Sequence, residues 1–113
     1  MIVREFVVAE GCERDFALVF GPDGIWCELL RPRSDGYLGS ELQLGSLADR
    51  RYRLFDYWKS HRDFELFREG YQDDVEQFRK WLANKDLVRK ETLLGSFYGG
   101  PSDFDEGTDF VST

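Results

Sequence analysis

Three observations predict an α+β fold with a four-stranded antiparallel sheet and helices on one of its faces. Short runs rich in β-branched and aromatic residues stand at 2–8, 37–44, 51–58 and 87–98. Apolar residues recur at helical spacing between the first two runs and again between the last two. A short polar stretch joins the middle pair, as in an antiparallel hairpin. The element order is therefore β-α-β-β-α-β.

In the first run, IVREFVV, Ile2, Arg4, Phe6 and Val8 share one face, and Val3, Glu5 and Val7 share the other. Gly11 ends the strand. The helix that follows carries Phe16, Val19 and Phe20 on one stripe. The stretch FGPDGIW at 20–26 then breaks the pattern, since proline inside a helix costs about 3 kcal/mol. Gly21 near an N-cap and Pro22 at the first helical position start a second segment over 22–31, with Ile25, Trp26, Leu29 and Leu30 as its stripe. Asp23 then complements the helix dipole, an effect of about 0.3–1 kcal/mol. Pro32 stops the segment. The break redirects Trp26: towards the sheet it helps build a pocket, and outward it marks only a corner.

In YLGSELQL, Leu38, Ser40, Leu42 and Leu44 alternate with Tyr37, Glu41 and Gln43. Residues 45–50 form the turn, and in RYRLFDYW the side chains of Tyr52, Leu54, Asp56 and Trp58 share a face. Ser60 and Asp63 have the spacing of a helix N-terminus. Phe64 and Phe67 begin an apolar stripe that Tyr71, Val75, Phe78 and Leu82 continue beyond Gly70, with Asn84 as the end. Gly95 marks a bulge or close approach in the last strand. This is the split βαβ, or ferredoxin-like, arrangement. Its helices leave one sheet face bare, and since the strands carry apolar residues on both sides, a second copy is the economical cover. A homodimer is expected.

The domain spans 1–98 and an acidic tail spans 99–113, where Phe104, Phe110 and Val111 favour docking on the domain or on a partner copy. The length of 113 residues allows one core, and 16% aromatic content suits a packed interior or an aromatic-lined pocket. A net charge of −7 argues against a nucleic-acid partner. No apolar run approaches the roughly 20 residues needed to cross a bilayer, and MIVREFVV, charged at Arg4 and Glu5, is read as a strand rather than a signal peptide. A cytoplasmic location is expected. Cys12 and Cys27, in no CxxC pair, are expected to be reduced packing residues. With one histidine, no transition-metal site is expected, and the carboxylates show no Ca²⁺ or Mg²⁺ loop spacing.

Several stretches resemble the antibiotic biosynthesis monooxygenase-like family of dimeric α/β barrels. They are GYLGSEL, YRLFDYWKSHRDFELF with its Tyr52, Trp58, Ser60, Phe64 pattern, GPDGIW and ETLLGSFY. The resemblance covers residues 1–98. It implies two protomers packed sheet to sheet, with a cavity in each between sheet and helices. One branch of the family oxidises polyketide anthrones with molecular oxygen and no metal or flavin; another binds and degrades haem. The haem branch uses an Asn in the first strand and a Trp and His in the last helix, where this chain has Arg4, Phe67 and Gln77. The quinone-forming branch keeps the tryptophan matched by Trp58, but its Asn and Tyr partners correspond to Leu54 and Phe64.

Among residues able to carry chemistry, His61 is the one imidazole of the chain, the side-chain type suited to proton transfer near neutrality, or else an ordinary residue of a helix start. Asp56 is a base, or a buried partner in a salt bridge with Arg4. Trp58 is a core anchor or a wall for a flat ligand. No GxGxxG, GxxxxGK[ST] or G-x-S-x-G occurs, so no cofactor is expected. Two functions follow. One is a cofactor-independent oxygenase acting on a flat apolar molecule of quinone or polyketide type, with Arg4, Trp26, Leu54, Trp58, Phe64 and Phe67 around it and His61 or Asp56 taking the proton. The other is a non-catalytic dimeric protein that binds a small molecule in the same pocket.

Overall fold

The computed structural model describes residues 1–97; the expected acidic tail lies outside them. The chain runs β1 (Ile2–Val8), α1 (Glu13–Phe20), α2 (Ile25–Leu30), β2 (Tyr37–Ser46), β3 (Arg51–Trp58), α3 (His61–Gly70), α4 (Gln72–Lys85) and β4 (Val88–Ser96). The strands lie in the order β2-β3-β1-β4, every neighbour antiparallel. Each helical crossover therefore skips one strand, which places β1 and β3 at the centre.

The helices pack on the face that presents Ile2, Phe6, Val8, Leu54 and Trp58. Phe6 meets Phe16 and Phe20 of α1 at centroid distances of 5.2 and 4.9 Å. Phe78 of α4 closes against Phe20 and Trp26 at 5.9 and 5.0 Å. Each such ring contributes about 1.5–3 kcal/mol on burial. By alternation Val3, Glu5 and Val7 point to the other face, where Glu5 pairs with Arg53 and Arg51 at 3.2 and 3.6 Å.

Three local expectations are corrected. The second helical segment begins at Ile25, capped by Gly24, and Pro22 is not its first residue. Residues 21–24 instead form a turn closed by the Gly24 N–H on the Gly21 carbonyl at 2.9 Å. Proline holds its second position and Asp23, at φ 60°, its third, the pattern of a type II turn. Asp23 thus lies outside the helix, and its carboxylate pairs at the surface with Arg31 rather than serving a first turn.

The second correction concerns β2. Tyr37 is buried opposite Trp58 while Leu38 is exposed, the reverse of simple alternation. The register jumps between Tyr37 and Gly39, and Gly39 takes φ 135°, which a side chain would resist. The bulge inserts one residue, so Tyr37 reaches the core face together with Ser40 and Leu42. Third, the stripe from Phe64 to Leu82 occupies two helices, not one, because Tyr71 leaves helical geometry at φ −124°. Ser60 caps α3 as its spacing suggests, accepting the Asp63 N–H at 3.1 Å. The irregularity expected around Gly95 is a register shift against β1 between Val3 and Arg4.

Candidate functional site

Arg4 and Asp56 are the buried charged residues among those described, 9% and 3% exposed. Their meeting follows from register. Asp56 stands opposite Ile2 of β1 and opposite Ser40 of β2, so Arg4 lies diagonally beside it on the helix-covered face. Arg4 reaches Asp56 at 3.2 Å and Glu91 of β4 at 3.4 Å. The Trp26 indole N–H donates to both Asp56 oxygens at 3.2 Å, and the Ser40 hydroxyl donates to one of them. The Arg4 guanidinium also stacks over Trp26, 5.0 Å from the ring centroid. Burial of charge is affordable here because each partner is paired and hydrogen-bonded.

Trp26 therefore points towards the sheet, and the GPDG turn directs it there. Gly24 is what makes the turn tight enough: a Cβ on it would sit 2.7 Å from the carbonyl oxygens of Leu18 and Val19.

Behind Asp56 the network continues. The Ser40 hydroxyl, whose proton goes to Asp56, accepts from the Tyr37 hydroxyl, and the Tyr37 oxygen also lies 3.2 Å from the Cys27 sulfur in a shared hydrogen bond. Burial, and then the bond to Cys27, push the Tyr37 phenol well above its ordinary value near 10. A raised phenol pKa means that the folded state holds the proton more tightly than the unfolded chain. The resulting stability is full below about pH 10 and is lost as pH rises from there towards the folded value. Tyr37→Phe should therefore flatten the alkaline limb of stability, at the expense of about 1 kcal/mol of hydrogen bonding at neutral pH. Urea midpoints of both proteins between pH 8 and roughly pH 11 check this; parallel curves would refute it.

In front of the cluster lies a cavity of about 280 Å³ between sheet and helices. Ile2, Arg4, Trp26, Asp56 and Trp58 form its floor, Phe64 and Phe67 of α3 one side, and Val75 and Arg79 of α4 the other. Glu91, Leu93 and Arg68 stand around its mouth. Trp58 packs at 5.4–5.5 Å against Tyr37, Phe64 and Phe67. It is 6% exposed, yet its indole N–H has no acceptor among the described residues.

Of the residues singled out from sequence, Arg4, Trp26, Asp56, Trp58, Phe64 and Phe67 come together on this cavity. Leu54 does not line it; paired with Arg4 across the strands, it is fully buried in the core. His61 lies at the exposed start of α3, its Nε2 3.3 Å from Glu65, and is not on the cavity wall. Ile2, Arg68, Val75, Arg79, Glu91 and Leu93 also line it and were not among the expected site residues. Arg68 and Arg79, each four residues beyond Phe64 and Val75, could have been found from helical spacing. Glu91 could not, since only the β1–β4 register brings it to Arg4. Among the described residues no three His, Cys, Asp or Glu side chains gather as a metal site. No helix among them is long and apolar enough to cross a membrane.

No family model and no curated protein matches the chain. Among solved structures, the crystal structure of PA3566 from Pseudomonas aeruginosa is similar, with a TM-score of 0.56 at 14% identity. The match covers 88% of this chain and 92% of that one. At that identity the likeness speaks for a related fold and for nothing finer.

Proposed function

We propose that the chain is a ferredoxin-like protomer of the dimeric α/β-barrel kind that binds one small, flat, largely apolar molecule between its sheet and helices. The observation that carries this reading is the indole N–H of Trp58, a wall residue of an aromatic cavity, buried without an acceptor among the described residues. A buried donor left unmade is costly, and a ligand acceptor would satisfy it. A volume of about 280 Å³ lies at the small end of ligand sites, which suits a molecule of one or two rings.

Binding is preferred here over the oxygenase alternative on geometric grounds. Proton removal needs an acceptor at the cavity. The oxygens of Asp56 are already taken up by Arg4, Trp26 and Ser40, and those of Glu91 by Arg4 and Arg79. His61 faces Glu65 instead. Asp56 then acts as the fixed post that orients Trp26 and Arg4.

Calorimetric titration with 1,4-naphthoquinone, a flat two-ring probe with carbonyl acceptors, tests the reading. Saturable binding that weakens in Trp58→Phe, which keeps the ring and removes the donor, is expected. Absence of saturable binding would overturn it. Dimerisation through the sheet face opposite the helices is tested by sedimentation, where twice the protomer mass of 13.2 kDa is expected.

A further inference from the structure

We infer that the Arg79–Glu91 ion pair is a partition that sets the length of the molecule this protein takes, with a second compartment behind it for an apolar extension of that molecule. This rests on the binding reading above and adds a size limit to it. The groove between α4 and β4 holds two cavities end to end. The first is the aromatic one of about 280 Å³, touched by Val75 and Arg79 of the helix and by Glu91 and Leu93 of the strand. The second, of about 210 Å³, is lined by Leu82, Ala83, Asp86 and Val88. Arg79 and Glu91 belong to the walls of both.

The arrangement follows from two periodicities. Val75, Arg79 and Leu82 recur at spacings of four and three, so they succeed one another along one face of α4. On β4, Leu93 pairs with Arg4, Glu91 with Phe6 and Val88 with Val8, all on the helix-covered face. Glu91 and Val88 are three positions apart, and simple alternation would put them on opposite faces. The register shift between Val7 and Val8 brings them to the same one. The ion pair stands in the middle of both rows. Its two hydrogen bonds, at 3.3 and 3.2 Å, join two guanidinium nitrogens to both carboxylate oxygens and so close the groove between the cavities. Arg4 holds Glu91 from the inner side at 3.4 Å, which leaves the half-exposed Arg79 as the member that swings. An exposed pair of this kind is weak, so a molecule long enough to need both cavities opens it at a cost of about fivefold in affinity. Beyond the pair, Leu82, Ala83 and Val88 offer apolar surface, and the remaining charged group there, Asp86, is bridged to Arg89 at 3.0 Å. The extension is therefore apolar, a third ring or a short alkyl arm.

Titration calorimetry on the full chain with two neutral probes decides the matter: 1,4-naphthoquinone, and 1,4-anthraquinone, which carries the same quinone head and one more fused ring. The ratio of anthraquinone to naphthoquinone affinity is expected to rise about fivefold in Arg79→Ala, where no ion pair has to open. It should stay at the parent value in Lys80→Ala, a control that removes the same charge from the next residue of α4, outside both walls. Adding Ala83→Phe to Arg79→Ala fills the second cavity and should return the ratio to the parent value, which a mere widening of the first cavity would not do. Arg79 and Ala83 are exposed positions of a helix, so these variants are expected to fold as the parent does. A ratio unchanged in Arg79→Ala, or a raised ratio that Ala83→Phe leaves in place, would overturn the partition while naphthoquinone binding keeps the pocket standing. Failure of the parent to bind naphthoquinone would overturn both.

Discussion

Asp56→Asn is expected to destabilise the protein by about 3–5 kcal/mol, the loss seen when one partner of a buried ion pair is removed. Domains of this kind are stable by about 5–15 kcal/mol, so the variant should sit near the edge of folding. The carboxylate currently accepts from Arg4, Trp26 and Ser40 at once. An amide of the same shape has one acceptor oxygen, and its NH₂ would confront donors. Arg4 would keep only Glu91 for its charge while remaining 9% exposed. The double change Arg4→Met with Asp56→Leu removes both charges together and should recover a large part of the loss, because well-packed apolar residues often replace a buried pair without penalty. Urea denaturation of the three variants measures this. A double variant no more stable than Asp56→Asn would show that Ser40 and Trp26, rather than the ion pair, dominate the cluster.

Gly24→Ala should cost about 3 kcal/mol, at the upper end of what overpacking usually does. The added methyl would lie 2.7 Å from the carbonyl oxygens of Leu18 and Val19 and 2.9 Å from that of Gly21. These are backbone atoms, which cannot swing aside as a long side chain can. The turn must open, and Trp26, two residues on, must leave its place over Arg4. Thermal unfolding and 1,4-naphthoquinone titration should therefore change together. A variant that unfolds earlier yet binds the probe unchanged would separate the turn from the pocket.

The strands and most of the helical stretches were legible in the sequence because periodicity records which side of an element is buried. The pairing of Arg4 with Asp56 was legible for a related reason. A charged residue among Ile2, Phe6 and Val8, and an acid between Leu54 and Trp58, each need a partner inside. What escaped was whatever depends on a single residue's backbone geometry. Nothing in YLGSELQL says that Gly39 will bulge, so Tyr37 and Leu38 exchange faces unannounced. Nor does GPDG distinguish a helix start at Pro22 from a turn with Asp23 at positive φ, since proline suits both. Glu91 was invisible because it belongs to the site only through strands 87 positions apart in sequence.

The bulge at Gly39 also bears on how the protein avoids its own kind. β2 is an outer strand of ten residues, and an outer strand offers unpaired amides and carbonyls to any extended chain that drifts alongside. Exposed Leu38 and Leu44 would make such a contact adhesive. The register shifts before Gly39 and after Leu44 leave only the segment from Gly39 to Leu44 in regular register. A foreign strand laid against this edge meets a kink at each end after a few hydrogen bonds. The same inserted residue that brings Tyr37 inward thus guards against edge-to-edge polymerisation of the sheet.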